Sequence, residues 1–287
     1  MIRAMSAPDA DRIRAAAGCD ALLVRVVDET PSTNETLMES PFGQAPAPAT
    51  LLATLRQHAG RGRRGRAWLC EPGRSLAFSI AFERVVRNEP PPAALSIVAG
   101  TAVAAALAPW APGIGLKWPN DLQLAGRKLG GILVESRRSP PSMDLRVETA
   151  IERIVVGIGI NLAAPREPQL VHSACGLFDG TDLRDDPGVL IGCMAGEVVR
   201  AFERFLSDGL APFVARWERL DALRGAPVVV LDGERVIASG CALGIDADGA
   251  LRLLGPCGVE TVRSGEVSLR RSDEWAVGAA AGGVAHR

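Results

Sequence analysis

The segment from Gly60 to Trp68 constrains this chain most, because it places four arginines and three glycines within its first seven residues. So many like charges cannot be packed in an apolar core, so the segment must face solvent or an anion. Its glycines match the G-x-G-x-x-G pattern of dinucleotide-binding folds, in which a helix begins at the third glycine. Here Glu71-Pro72-Gly73 and a strand-like run at 76–82 follow instead. The segment is therefore predicted to be a loop without a phosphate-binding helix.

The chemistry of this loop favours an anionic ligand. Its glycines permit positive φ angles and close backbone approach, while its arginines present planar, permanently charged forks that suit carboxylate or phosphate. A solvated basic loop that grips an RNA backbone is the alternative. The formal net charge of −1 weighs against that alternative, because nonspecific nucleic-acid binding needs a basic surplus.

Composition indicates an ordinary globular protein with room for one large domain and one small one, since 47% of its 287 residues are hydrophobic and 23% are charged. The six cysteines form no C-x-x-C pair and the three histidines are scattered, so neither a zinc site nor a disulfide framework is expected. The N-terminus has no hydrophobic signal core, which favours a cytoplasmic location. The apolar run at 93–109 is predicted to be a buried helix rather than a membrane span.

Hydrophobic periodicity predicts an α+β chain whose core begins at residue 21. A short N-terminal extension (1–20) precedes a catalytic domain (21–224), a small β-barrel (225–271) and a disordered tail (272–287). An exposed turn is expected at 136–144. The predicted strands of the large domain are 21–27, 50–55, 76–82, 127–135 and 153–162, and its helices are 34–39, 93–109, 186–206 and 212–223. The segment 116–122 is predicted as two short strands joined by an irregular bend, because Pro119 rules out one regular strand there. The predicted strands of the barrel are 228–231, 235–238, 242–246, 250–254 and 259–263.

Polar side chains stand where the predicted strands end. Ser32 or Thr33 is placed to cap the helix 34–39, with Glu35 in position for a capping box, and ligand contact is the alternative role for Ser32. The other candidates at strand ends and bends are Asn34, Gln57, Lys117, Asn120, Asp121, Lys128 and Asn161. This set supplies cations and amides but no Ser-His or Cys-His pair and no Walker A loop. Such a site suits phosphoryl or adenylyl transfer, in which positioning and electrostatics carry catalysis.

Five motifs in this order resemble the biotin protein ligases, and the resemblance spans about residues 21–270. They are Ser32-Thr33-Asn34, Gln57 with Gly60–Trp68, Lys117-Trp118-Pro119-Asn120-Asp121, Arg127–Leu133 and Gly157-Ile158-Gly159-Ile160-Asn161. The resemblance implies an α+β fold of the class II synthetase-like, biotin-lipoate ligase type. That fold is a mixed β-sheet with helices on one face, followed by a small C-terminal SH3-like β-barrel.

The resemblance also implies roles for individual residues. The residues that it places around biotin are Ser32, Thr33, Asn34, Gln57, Gly60, Arg61, Gly62, Arg63, Lys128 and Gly131. Those on the nucleotide side are Arg63, Arg66, Trp68, Lys117, Asn120 and Asn161. Arg63 and Lys128 are the catalytic cations, and Asp121 is the candidate that orients or deprotonates the acceptor lysine. No metal ligand is identified.

The implied reaction uses ATP with Mg²⁺ to convert biotin to biotinyl-5′-AMP, and then transfers biotin to a lysine of a biotin carboxyl carrier domain of acetyl-CoA carboxylase or another biotin-dependent carboxylase. Because only 1–20 precede the predicted core, no N-terminal DNA-binding domain and no direct DNA binding are expected, nor is membrane association. A homodimer is left open. The alternatives are a lipoate or octanoate ligase or transferase of the same superfamily, and a noncatalytic RNA- or nucleotide-binding protein.

Overall fold

The computed structural model describes residues 8–43, 47–86, 94–139, 150–167, 170, 173–180, 185–263 and 267–273. Part of the predicted turn, 140–144, and the predicted tail from 274 onward lie outside these residues. The helices are α1 (Ala10–Ala17), α2 (Thr33–Glu39), α3 (Leu95–Leu107), α4 (Pro187–Asp208) and α5 (Ala211–Leu220). The strands are β1 (Leu22–Thr30), β2 (Ala49–Gln57), β3 (Ser75–Val86), β4 (Gly115–Lys117), β5 (Asp121–Leu124), β6 (Arg127–Arg138), β7 (Ala150–Asn161), β8 (Pro227–Asp232), β9 (Arg235–Ile245), β10 (Leu251–Gly255), β11 (Gly258–Val262) and β12 (Val267–Arg271).

A seven-stranded mixed sheet in the order β1-β2-β3-β7-β6-β5-β4 organises the large domain. β1 and β2 are parallel, and the remaining neighbours are antiparallel. The register Thr30↔Gln57, Ser75↔Asn161 and Gly130↔Ile160 brings the ends of five strands to one edge of the sheet. The candidate polar residues therefore meet at that edge, as the strand-end pattern predicts.

The predicted helical layer lies on one face of this sheet. Alternate strand residues such as Leu51, Ile80 and Val156 face a large apolar core shared with α1, α3, α4 and α5. The intervening residues, among them Leu52 and Val155, form a second, smaller cluster with α2 on the other face. The short helix that carries Thr33 and Asn34 is thus supported by a core of its own.

The core begins earlier than the predicted residue 21, because α1 packs along α4. Ile13 and Ala17 of α1 are 0% and 1% exposed. Two α4 glycines leave room for the α1 backbone, since a Cβ at Gly192 would stand 2.5 Å from the Ile13 carbonyl oxygen and one at Gly196 would overlap the Ala17 carbonyl. The mixed polar and alanine-rich sequence of 1–20 hid this helix, whose stability depends on close contact rather than on large apolar side chains.

We expect Gly196→Ala to lower the free energy of unfolding by about 1–3 kcal/mol, because the added methyl group must push α1 away from α4. Urea unfolding followed by circular dichroism measures the change. Glu197→Ala on the same helix is the control, since it removes only an exposed ion pair with Arg200 and should cost less than about 0.5 kcal/mol. Equal stability of the two variants would contradict the close-packing interpretation.

The C-terminal domain is a five-stranded antiparallel sheet in the order β11-β10-β9-β8-β12. The predicted separate strands 235–238 and 242–246 are one strand, β9. It continues through Gly240 because the absence of a Cβ lets the Leu254 carbonyl oxygen approach to 2.6 Å of where that atom would be. β12 was not among the predicted strands, and it closes the domain by pairing Val267↔Asp232 through Arg271↔Val228.

The structure also changes the predicted end of β6. β6 does not turn at residue 136 but continues to Arg138, which approaches the fully buried Glu152 together with Arg84.

The buried apolar helix is α3, which ends before Pro109 as predicted. None of the helices in the described part of the chain has the length and apolar character needed to cross a membrane.

Candidate adenylation site

A cavity of about 840 Å³ opens at the sheet edge where the strand ends meet. The predicted site residues that line it are Ser32, Thr33, Asn34, Gln57, Arg61, Gly62, Arg63, Arg66, Trp68, Lys117, Asn120, Asp121, Lys128, Gly131 and Asn161. Gly60 is the exception within the predicted set. A Cβ there would stand 2.5 Å from the Trp68 carbonyl oxygen and 3.0 Å from Gln57 Nε2, so Gly60 lets the loop pack behind the cavity wall.

One side of the cavity carries a buried network of neutral polar groups. Gln57 Oε1 accepts a hydrogen bond from the Thr33 backbone N–H at 2.7 Å and lies 3.1 Å from Thr33 Oγ1. Thr33 Oγ1 also pairs with Ser79 Oγ at 2.6 Å, and Ser79 Oγ donates to Asn34 Oδ1 at 2.6 Å. The network fixes amide and hydroxyl groups at the cavity wall, where they suit a neutral polar ligand head. Ser79 was missed, although it is the one hydroxyl within the apolar run 76–82.

The predicted capping box is wrong. Ser32 stands at the N-cap position of α2, but its side chain makes no capping hydrogen bond. Glu35 instead approaches Arg61 at 3.8 Å, and Glu135 approaches the same guanidinium at 3.7 Å. The Glu35 carboxylate therefore lies near Arg61 of the arginine loop and does not cap the N-terminus of α2. Ser32 is 3% exposed and lines the cavity, which leaves its hydroxyl at the wall rather than on the helix.

The arginine loop folds as a small hairpin over the cavity. Gly62 N donates to Arg66 O at 2.7 Å and Trp68 N donates to Gly60 O at 2.8 Å. Arg64 and Gly65 turn the chain with φ angles of 61° and 68°. A non-glycine residue in this region carries backbone strain, which the surrounding hairpin must hold. The sequence predicts a loop here, but no local pattern in it predicts the hairpin.

Trp68 closes the hairpin against the sheet. A Cβ at Gly159 would overlap its indole ring, so the ring lies directly on the β7 backbone. The indole Nε1 is buried and has no hydrogen-bond partner among the described residues. An indole ring that packs on a glycine and has an unpaired N–H donor suits a flat heteroaromatic ligand such as a nucleobase.

Two cations, Arg63 and Lys128, line the same cavity. Lys128 Nζ contacts Asp121 Oδ1 at 2.6 Å, with the two side chains 40% and 26% exposed. Arg63 Nη1 donates to Asn120 Oδ1 at 3.2 Å. Burial lowers the pKa of Arg63; Asp121 raises it, and Arg64 and Arg66 lower it further. Burial beside two other guanidinium groups is a setting in which a bound anion would stabilise the charged form of Arg63.

The charged residues that line the cavity also favour an anionic ligand. Its basic residues are Arg61, Arg63, Arg64, Arg66, Arg74, Lys117, Lys128 and Arg270, whereas its carboxylates are Glu71 and Asp121. Such an excess of cations within a low-dielectric cleft stabilises carboxylate and phosphate together and the charge that develops as one attacks the other. Among the described residues, no group of three or more His, Cys, Asp or Glu side chains comes together as a metal site.

The C-terminal domain supplies one wall of the cavity. Val267, Ser268, Leu269 and Arg270 of β12 are in the lining. Ser268 Oγ accepts a hydrogen bond from Arg64 Nη1 at 3.4 Å, which joins the hairpin to this domain. No site residue is predicted in this domain from the sequence, because its strands begin well after the last motif, which ends at Asn161, and carry no motif of their own that indicates a ligand.

Comparison with known proteins agrees with this architecture. Residues 26–161 match the biotin/lipoate A/B protein ligase family, and residues 225–270 match the biotin protein ligase C terminal domain. The two matches define a protein ligase of the biotin/lipoate class. The bifunctional ligase/repressor BirA of Escherichia coli is 35% identical over 254 residues, which cover 88% of this chain and 75% of that protein. The chain belongs to the biotin protein ligase family.

Two further relatives support the assignment. The biotin--[acetyl-CoA-carboxylase] ligase of Paracoccus denitrificans is 33% identical over 219 residues, which cover 74% of this chain and 86% of the relative. The solved structure of the biotin protein ligase from Aquifex aeolicus, in complex with biotin and ATP, superposes with a TM-score of 0.70 at 29% identity. That match covers 87% of this chain and 99% of the solved chain.

Proposed function

We propose that this protein is an ATP-dependent biotin protein ligase that forms biotinyl-5′-AMP and transfers biotin to a lysine of a biotin carboxyl carrier domain, in the cytoplasm. One observation carries the proposal. A single cavity joins the neutral Thr33–Gln57–Ser79 network to the cations Arg63 and Lys128 beneath an arginine hairpin. The family membership favours biotin over lipoate, because the C-terminal domain match is specific to biotin protein ligases.

In the first step a biotin carboxylate oxygen attacks the α-phosphorus of ATP, and the bond to pyrophosphate breaks. Both reactants are anions, so the step requires cations at the point of approach. Arg63 and Lys128 have this role, while the Thr33–Gln57–Ser79 network orients the head group of biotin. Asp121 holds the Lys128 ammonium in place through their 2.6 Å contact. Mg²⁺ neutralises part of the triphosphate when bound, and no residue is assigned as its ligand.

In the second step the acceptor amine attacks the acyl carbonyl and AMP leaves. An ammonium cannot attack, and a lysine has a reference pKa of about 10.4, so the acceptor must first lose its proton. Asp121 is the carboxylate that orients that amine or takes its proton. Trp68 and Asn161 hold the nucleotide side, and the arginine hairpin covers the adenylate and keeps water from its acyl–phosphate bond.

The direct test is to mix the protein with biotin, ATP, Mg²⁺ and an isolated carrier domain, and to weigh the carrier by mass spectrometry. We expect a mass increase of one biotinyl group that depends on ATP. Replacement of biotin by lipoate is the discriminating arm. Pyrophosphate release that depends on lipoate and not on biotin would contradict the proposal, and so would tight RNA binding without carrier modification.

A further inference from the structure

A turn of the C-terminal domain is seated on the large domain. Gly249 adopts a φ of 83°, and a Cβ there would stand 3.4 Å from Leu210 and 3.5 Å from Ala94 and Ile97. Asp246 Oδ1 fixes the turn by accepting hydrogen bonds from the backbone N–H groups of residues 248 and 250, both at 2.9 Å. The turn is therefore a preformed element that presents its carbonyl groups in fixed directions.

One of those carbonyl groups binds Trp118. The Trp118 indole is 2% exposed, and its Nε1 donates to the Gly249 carbonyl oxygen at 3.0 Å. Trp118 lines the cavity itself, together with its neighbours Lys117 and Asn120. The hydrogen bond thus joins the C-terminal domain to the middle of the segment that forms the nucleotide side.

Asn120 passes this constraint to Arg63. Its Oδ1 accepts from Arg63 at 3.2 Å, and its Nδ2 donates to the Ile132 carbonyl oxygen at 2.8 Å. The Ile132 N–H donates back to Asn120 O at 2.9 Å. Asn120 is therefore held by β6 on one side and, through Trp118, by the C-terminal turn on the other. A shift of the segment would move the partner of Arg63.

We propose that Trp118 is a positioning residue whose hydrogen bond to Gly249 lets the C-terminal domain set the geometry of the nucleotide side. The inference rests on the proposed adenylation reaction and concerns its ATP half. The biotin-side network is built from α2, β2 and β3, elements separate from the segment that carries Trp118. Loss of the hydrogen bond should therefore weaken the use of ATP more than the use of biotin.

The first test is Trp118→Phe, which keeps an aromatic ring and removes the N–H donor. Loss of one buried hydrogen bond should raise KM for ATP about three- to tenfold in biotin-dependent ATP–pyrophosphate exchange, with KM for biotin within about twofold. Trp217→Phe is the matched control. Trp217 is 1% exposed, and its Nε1 has no hydrogen-bond partner among the described residues, so the same substitution removes no hydrogen bond.

A second variant guards against a folding defect. Asp246→Ala loosens the turn from the C-terminal side without touching Trp118 or the cavity, and it should raise KM for ATP in the same direction. Equal KM values for ATP in Trp118→Phe and Trp217→Phe would overturn the inference. If Trp118→Phe does not fold, an unchanged KM in Asp246→Ala overturns it instead. A wild-type protein without biotin-dependent exchange would refute the proposed function rather than this contact.

Discussion

Lys128→Ala is expected to reduce biotin-dependent ATP–pyrophosphate exchange by about 10²–10³-fold, the effect of removing one preorganised charge from a transition state. Its Nζ stands 2.6 Å from Asp121, and the side chain is 40% exposed, so it contributes little packing. The free energy of unfolding should therefore change by less than about 0.5 kcal/mol. Single-turnover formation of the adenylate and urea unfolding measure the two effects separately.

Arg127→Ala is the matched control for this prediction. Arg127 is the neighbouring cation at the same turn, but it does not line the cavity. We expect its exchange rate to stay within about twofold of the wild type, because a charge outside the cleft is screened by solvent. Equal rates in the Lys128 and Arg127 variants would remove Lys128 from the reaction.

Gly159→Ala is expected to lower kcat/KM for ATP by about tenfold or more, since overpacking costs about 1–3 kcal/mol and the new methyl group occupies the place of the Trp68 indole. Biotin affinity should be retained, because the Thr33–Gln57 network lies on other elements. Isothermal titration with biotin and steady-state kinetics with ATP separate the two effects.

The control is Gly100→Ala in the middle of α3. A Cβ there would stand 3.4 Å from a Leu116 methyl group, which is ordinary contact, so the change should be neutral or slightly stabilising. If Gly159→Ala uses ATP as well as Gly100→Ala does, the ring of Trp68 is not a fixed wall of the nucleotide side.

Much of the site could be predicted because its residues stand at the ends of strands. Strand alternation and the turns around Gly126 place Gln57, Lys128 and Asn161 at strand termini, and a mixed sheet brings those termini to one edge. The roles assigned to individual residues remain predictions. The structure adds that they share one cavity.

Other features depend on contacts that periodicity does not report. α1 binds α4 through Gly192 and Gly196, and a missing side chain leaves no signal in a hydrophobic pattern. The local spacing of Glu35 predicts a capping box. In the folded chain Glu35 instead lies near Arg61, a contact that local spacing does not report. Ser79 and Ser268 lie within strands. From the sequence alone such a hydroxyl looks like an ordinary solvent-facing side chain, because its partner on the neighbouring element is not known.

The wall formed by β12 has a consequence for the time at which the protein becomes active. The Ser32 to Asn161 portion of the cavity is synthesised first, whereas Val267 to Arg270 follow much later in the chain. Because domains generally fold from the N-terminus during synthesis, the large domain can fold around an incomplete cleft. A chain that stops before residue 267 lacks both that wall and the Ser268 partner of Arg64. The cavity is therefore complete only after Arg270 has been synthesised.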